Sequence, residues 1–298
     1  MEQLTENKEH KSWFDRYYKF MSAIPVLLVI LCLVYLGFFY SQNKDFINKD
    51  VSLTGGTTIT LTGDIDTSKL ESELSKEFSN LNFRKLTDLT TGKPISFVIE
   101  SSAEPETLKA AVEKILGIQL TEKNSSIEFT GPTLSANFYK QLIIALLISF
   151  VLMSIVITIL FRTFIPSFAV IFAAFSDVIM PLAILDLFGV KISAAGIAAF
   201  LMIIGYSVDT DILLTTRALK KKEGTLNQRI YGAFKTGITM TSTALAAVLP
   251  AFFIVSGLPD SFRQIFLILA LGLVADIINT WLTNVGIIKW YCEKKGIR

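Results

Sequence analysis

Five aspartates stand in stretches that are otherwise apolar: Asp177, Asp186, Asp209, Asp211 and Asp276. A charged side chain at the centre of a membrane helix costs roughly 2.5–3.5 kcal/mol even on a lenient insertion scale, so such residues mark proton or ion pathways unless a static pairing accounts for them. The densest group is Gly205-Tyr206-Ser207-Val208-Asp209-Thr210-Asp211. On a helix its two carboxyls stand about 200° apart, so they cannot share one face. One must face a polar interior, and the other needs a different partner or a wet crevice. Downstream, Lys235, Thr236, Thr239, Thr241, Ser242 and Thr243 put a cation and several hydroxyls along one segment. Asp276, Asn279, Thr280 and Thr283 then recur at spacings of three and four, which makes a single polar stripe. Three such segments imply one shared polar core.

The chemistry that suits these groups is protonation rather than bond making. Burial between helices favours a neutral carboxyl, while a neighbouring cation such as Lys235 favours the ionised form. That competition lets a site load and release a proton, and neutralisation lets helices repack. The relay candidates are therefore Asp209, Asp211, Asp177, Lys235 and Thr210, with Asp276, Asn279 and Thr280 as a secondary stripe. The plainer alternative is a static Asp–Lys pair that only holds helices together. Asp177, four residues before Pro181, fits either a proton path or the capping of a kink. Asp186, close to the end of its apolar stretch, reads as a side chain that reaches water.

Other engines are missing from the sequence. There is no G-x-x-x-x-G-K-[ST] phosphate loop, no H-E-x-x-H and no C-x-x-C. The one histidine, His10, lies in a polar tail, and Cys32 and Cys292 suggest neither a disulfide framework nor a metal cluster. No enzymatic activity, cofactor or metal is expected.

The elements that position the aspartates follow from hydropathy. Of 298 residues, 51% are hydrophobic and only 18% charged, with mean hydropathy +0.53, whereas soluble domains average about 25% charge. The net charge of +2 gives no pull toward nucleic acid. Six apolar blocks, roughly 21–40, 140–161, 166–188, 192–216, 237–256 and 264–290, are long enough to cross a bilayer. The first reads as a retained anchor, because no small-residue cleavage site follows it. One set of block ends carries 15 Lys and Arg, while the short loops on the other side offer only Lys191 and Arg263. Both termini are therefore expected in the cytoplasm. The basic 217–236 loop reads as topology-setting charge near anionic lipid rather than as a specific partner site.

Between the first two spans lies a polar stretch, 45–135, expected outside the cell. Strands are expected at 51–62, 82–88, 95–100 and 125–130, with a TTGKP turn in the central hairpin. Amphipathic helices are expected at 67–79 and 104–117. That βαββαβ order is the order of a split βαβ, ferredoxin-like domain, read here as a docking module. Gly55-Gly56 is not a dinucleotide fingerprint and predicts a bulge or a close backbone approach. The expected division is thus a tail over 1–20, a first helix over 21–40, the outer domain over 45–135, a five-helix bundle over 140–290 and a tail over 291–298.

These features together resemble half of a resistance-nodulation-division transporter and, within that superfamily, the archaeal branch of the SecF family of protein-export membrane proteins. Leu53-Thr54-Gly55-Gly56-Thr57 is similar to the family's F-T-G-G-T, and Gly131-Pro132 to its V-G-P. Ser176-Asp177-Val178-Ile179 is similar to H-D-V-I, and Leu187-Phe188-Gly189-Val190 to L-F-G-I. Gly205-Tyr206-Ser207 through Arg217 resembles G-Y-S-x-N-D-T…D-R, with Thr210 at the family's aspartate and Asp209 and Asp211 flanking it. Lys235 is similar in position to a family arginine, without the planar fork of a guanidinium. The resemblance implies a partner SecD, cooperation with the SecYEG channel, contact with the translocating polypeptide, and use of the proton motive force in the cell membrane. Two other readings fit the same residues: half of a proton-driven exporter of small molecules or lipids, and a passive membrane scaffold or chaperone.

Overall fold

The computed structural model describes residues 13–63, 67–78, 81–87, 94–220, 223–254 and 260–297. Among the described residues, six helical segments are long and apolar enough to cross a membrane: Arg16–Asn43, Pro132–Phe161, Phe164–Leu187, Ala194–Lys220, Leu226–Ile254 and Phe262–Lys294. They belong to α1 (Trp13–Asn43), α5 (Pro132–Phe161), α6 (Phe164–Leu187), α7 (Ala194–Lys220), α8 (Leu226–Ile254) and α9 (Asp260–Ile278), the last running through a π-helical segment (Asn279–Asn284) into α10 (Val285–Lys294). Several outrun the apolar blocks because a helix continues past the hydrocarbon. Thus α5 begins at Pro132, whose missing N–H costs nothing at a first turn.

The helices divide into centre and periphery. In the central windows of α6, α7 and the last span 56% of residues are buried, against 6% for α5, so α5 offers its apolar face outward. Leu147, Val151, Val156 and Ile159 are exposed there, as are Leu27 and Val34 on α1, which is the distribution hydrocarbon or an apolar partner favours. The aspartates Asp177, Asp211 and Asp276 lie on the three central helices and are at most 2% exposed.

Between α1 and α5 the chain builds α2 (Val51–Thr54), β1 (Gly56–Thr62), α3 (Thr67–Glu77), β2 (Asn82–Thr87), β3 (Pro94–Ser101), α4 (Pro105–Leu116) and β4 (Ser125–Thr130). The sheet is antiparallel throughout, in the order β2-β3-β1-β4, with Ile59 opposite Ile99 on one side and Ile127 on the other. Alternation along β1 buries Ile59 and Leu61 against Leu70 and Leu74 of α3 and Leu108 and Val112 of α4. The turn expected at 90–94 falls mostly outside the described residues.

One expectation is corrected. Residues 51–54, read as the start of the first strand, form the short helix α2. Asp50 caps it, its Oδ1 accepting from the N–H of Ser52 at 2.8 Å, and Leu53 is buried in the helix-bundle core rather than the sheet core. A capping carboxylate outweighs the β propensity of so short a run. The strand begins at Gly56, whose φ of +144° brings its backbone against Ser101. A Cβ there would lie 2.2 Å from the Ser101 carbonyl oxygen, so the expected close approach is present.

Residues 48–52 are clasped to the α6–α7 connection. Ile192 N–H donates to Asn48 O at 2.6 Å, Asp50 N–H to Ile192 O at 3.1 Å, and Ala194 N–H to the Ser52 hydroxyl at 3.0 Å. Asp186, expected to reach water, is 4% exposed and accepts from Asn48 N–H at 3.2 Å, so it serves the clasp. Just before the clasp, Asp45 meets Lys49 at 2.8 Å and the Tyr139 hydroxyl at 2.7 Å. Burial pushes its carboxyl up, but Lys49, Tyr139 and the Phe46 N–H outweigh that and hold it below its ordinary value. The stabilisation is therefore present above about pH 4 and is lost as pH falls through the lower folded value. Asp45→Asn should cost about 1 kcal/mol near neutrality and progressively less below about pH 4, as measured by unfolding of the full chain in detergent.

Candidate functional site

α7 delivers Ser207, Thr210 and Asp211 to the centre of the bundle, α6 delivers Asp177, and α8 delivers Thr241. The last span delivers Asp276, Asn279, Thr280 and Asn284. The π-helical segment explains how that span supplies so many. Its wider turn brings residues five apart toward one face, and π-bulges recur at functional sites. Asn279, Thr280, Thr283 and Asn284 are accordingly all at most 1% exposed.

Asp177 has one donor for each oxygen: the Ser207 hydroxyl donates to Oδ2, and Asn279 Nδ2 to Oδ1 at 2.6 Å. Asp276 Oδ1 meets the hydroxyls of Thr210 at 2.9 Å and Thr280 at 3.0 Å, and Oδ2 meets Thr241 at 3.3 Å. Asp211 Oδ1 accepts from Asn284 Nδ2 at 2.6 Å and also meets the Thr280 hydroxyl at 2.8 Å. Its Oδ2 is buried without a hydrogen-bond partner among the described residues.

Thr280 is the pivot. A hydroxyl carries one hydrogen, yet Thr280 Oγ1 lies within hydrogen-bond distance of oxygens from two different carboxyls. If both were ionised, one contact would set a lone pair against a negative charge in a low-dielectric interior, which is costly. A proton on either carboxyl turns that contact into a hydrogen bond, with Thr280 accepting. Thr210 repeats the pattern, since its single hydrogen lies between Ser207 O at 2.8 Å and Asp276. The arrangement can therefore hold a proton and exchange it between Asp211 and Asp276 across one hydroxyl.

The other candidates lie elsewhere. Asp209 is exposed on the opposite face of α7, as its angular separation from Asp211 requires. Lys235 is exposed on α8, and no salt bridge joins it to a carboxylate among the described residues. The network of three aspartates thus contains hydroxyls and amides rather than a cation. Sequence reading missed Asn284, because its partnership depends on the five-residue step of the π segment. It also counted Lys289 as an end charge, whereas that side chain is 1% exposed and donates to Asn227 Oδ1 at 2.9 Å.

Comparison with known proteins gives a consistent picture. The family described as protein export membrane protein SecD/SecF, C-terminal, matches residues 111–294, more than half of the chain. A protein-export membrane protein SecF of Methanolacinia petrolearia is 37% identical over 280 residues, covering 93% of this chain and 95% of that one. The SecF of Methanocaldococcus jannaschii is 37% identical over 281 residues, covering 92% and 95%. Among solved structures, SecDF of Thermus thermophilus, a translocon-associated membrane protein, superposes with a TM-score of 0.68 at 18% identity. The match covers 93% of this chain and 38% of that one, so at this identity it speaks for the fold. With a family match over most of its membrane helices and relatives alike along nearly their whole length, the chain belongs to the SecD/SecF family of protein-export membrane proteins.

Proposed function

We propose that the chain is a SecF-type accessory subunit that pairs with SecD, works beside the SecYEG channel, and promotes export of polypeptides at the expense of the proton motive force. The observation that supports the energetic part is the hydroxyl of Thr280 held between Asp211 and Asp276 with no cation in the network among the described residues. A static scaffold has no use for two carboxyls sharing one hydrogen. A relay does, because moving the proton moves the charge from α7 to the last span and changes which helix contacts are favourable. Asp177, satisfied from both sides, orients Ser207 and Asn279 beside the pair. Asp209 and Lys235, exposed on the flanks, are placed to meet a partner's helices or the lipid.

Orientation and the outer domain follow the same reading. The excess of basic residues at one set of helix ends supports both termini in the cytoplasm and the sheet outside. The βαββαβ order and the β2-β3-β1-β4 arrangement support a ferredoxin-like domain, which we read as the contact for SecD's outer region or the emerging chain. The test is reconstitution. Affinity purification of this chain from its own membranes should bring down a six-span SecD relative in equal amount. Proteoliposomes containing the pair and the channel should export a secretory protein faster with an imposed proton gradient than without one. Recovery of the chain without such a partner, or export indifferent to the gradient, overturns the reading.

A further inference from the structure

Lys191 and Arg263 run against the charge asymmetry of the helix ends, since Lys191 sits in the connection between α6 and α7 and Arg263 in the first turn of α9, both on the sheet side. Basic residues there oppose the orienting bias of the rest of the chain, so their presence asks for a local reason. The fold brings them to one cavity of about 340 Å³ between the sheet and the helix ends, where Arg84 of β2 adds a third cation. Arg84 is paired with Glu100, but neither Lys191 nor Arg263 forms a salt bridge among the described residues. The Arg263 guanidinium lies 4.9 Å over the ring of Phe252, which holds it at the wall. Lys191 is anchored by its backbone, its carbonyl accepting from Gln264 Nε2 at 2.5 Å. Among the described residues the wall's single carboxyl, Asp50, is turned to its own helix, accepting from the Ser52 hydroxyl at 2.5 Å and from the Ser52 N–H at 2.8 Å. Burial raises its carboxyl above its ordinary value, against the pull of the Ser52 hydroxyl and N–H.

An excess of cations at the level where membrane helices end, flanked by aromatic and aliphatic wall, suits an amphipathic anion. Phe253, Ile254 and Phe262 are exposed on the adjoining helix ends and offer an apolar path from the cavity toward acyl chains. We propose that this cavity binds the phosphate of a phospholipid headgroup from the leaflet on the sheet side, with Lys191 and Arg263 as its charge partners. The assignment is independent of proton movement in the bundle. It gives the sheet a lipid-dependent anchor to the helices, because Asn82, Arg84 and Asp50 belong to the sheet domain and its linker, and the remaining wall to the helix bundle and its connections.

The full chain in neutral detergent, titrated with short-chain phosphatidylglycerol and followed by native mass spectrometry and thermal shift, should bind one lipid. Lys191→Gln and Arg263→Gln should each weaken binding about fivefold, and the double variant about 25-fold, if each cation contributes about 1 kcal/mol. Lys140→Gln, an exposed cation on the sheet-side end of α5 outside the cavity, should leave binding unchanged. Lys191→Arg and Arg263→Lys, which keep the charges, should retain it and serve as folding controls. Lipid binding indifferent to both glutamine substitutions overturns the site. Inorganic phosphate that binds as tightly as the lipid, with the same sensitivity to the variants, overturns the lipid source in favour of a soluble anion.

Discussion

Asp276→Asn should remove the gradient-dependent component of export altogether while leaving the chain folded and membrane-inserted. The substituted amide keeps the size of the carboxyl and can donate to the hydroxyl oxygens of Thr210 or Thr280, so the polar core stays satisfied. What it cannot do is release a proton. Asp211→Asn should have the same outcome, because it removes the other end of the Thr280 bridge. Asp177→Asn should have the smaller effect of the three, since its close donors, the Ser207 hydroxyl and Asn279 Nδ2, lie outside the Thr280 bridge. Lys235→Gln, on an exposed position of α8, should leave the dependence on the gradient intact. The measurement is export into proteoliposomes with and without an imposed proton gradient. Loss confined to Lys235→Gln, with Asp276→Asn and Asp211→Asn unaffected, would contradict the shared-proton site. Asp276→Leu is a poor probe by comparison. It would orphan the hydroxyls of Thr210, Thr241 and Thr280, at about 1–3 kcal/mol for each left unsatisfied, and confound function with folding.

The second large effect is structural. Gly56→Ala should unfold the sheet domain or cost more than about 3 kcal/mol, because strain at a positive φ adds to a clash with backbone that cannot rotate away. The added Cβ would meet Ser101 O at 2.2 Å and Ser102 Cα at 2.9 Å. Gly63→Ala is the matched control: its φ is +117°, but nothing among the described residues lies within 4 Å of the new methyl. It should therefore cost only the conformational part, about 1–3 kcal/mol. Limited proteolysis and thermal unfolding of the two variants separate clash from strain. Equal destabilisation of both would show that the contact with Ser101 carries nothing.

Much of this is legible in the sequence. Six apolar blocks could only be membrane helices, since nothing else buries that much unbroken apolar surface in 298 residues. Alternation at Ile59 and Leu61, and helical spacing at Leu70, Leu74, Leu108 and Val112, set the faces of the small domain. The angular argument alone required Asp209 and Asp211 to part company. Residues 51–54 misled because β propensity in a four-residue run yields to one capping carboxylate, whose partner is fixed by the fold.

By itself, then, the sequence determined the solvent of each segment and the helical phase of each carboxyl. Those depend on residue type and on periods of two and 3.6, which are local. Tertiary structure decided which carboxyl of the 209–211 pair turns inward. It decided that Asp276 and Asp211 share Thr280 although 65 residues separate the acids, and that Lys235 stays out while Lys289 goes in. It also brought Lys191 and Arg263 to one cavity. Each of these depends on the rotation of one helix against another and on a π-helical step that shifts the phase of the last span. Such quantities are settled by packing across the whole bundle, where no single helix carries the information.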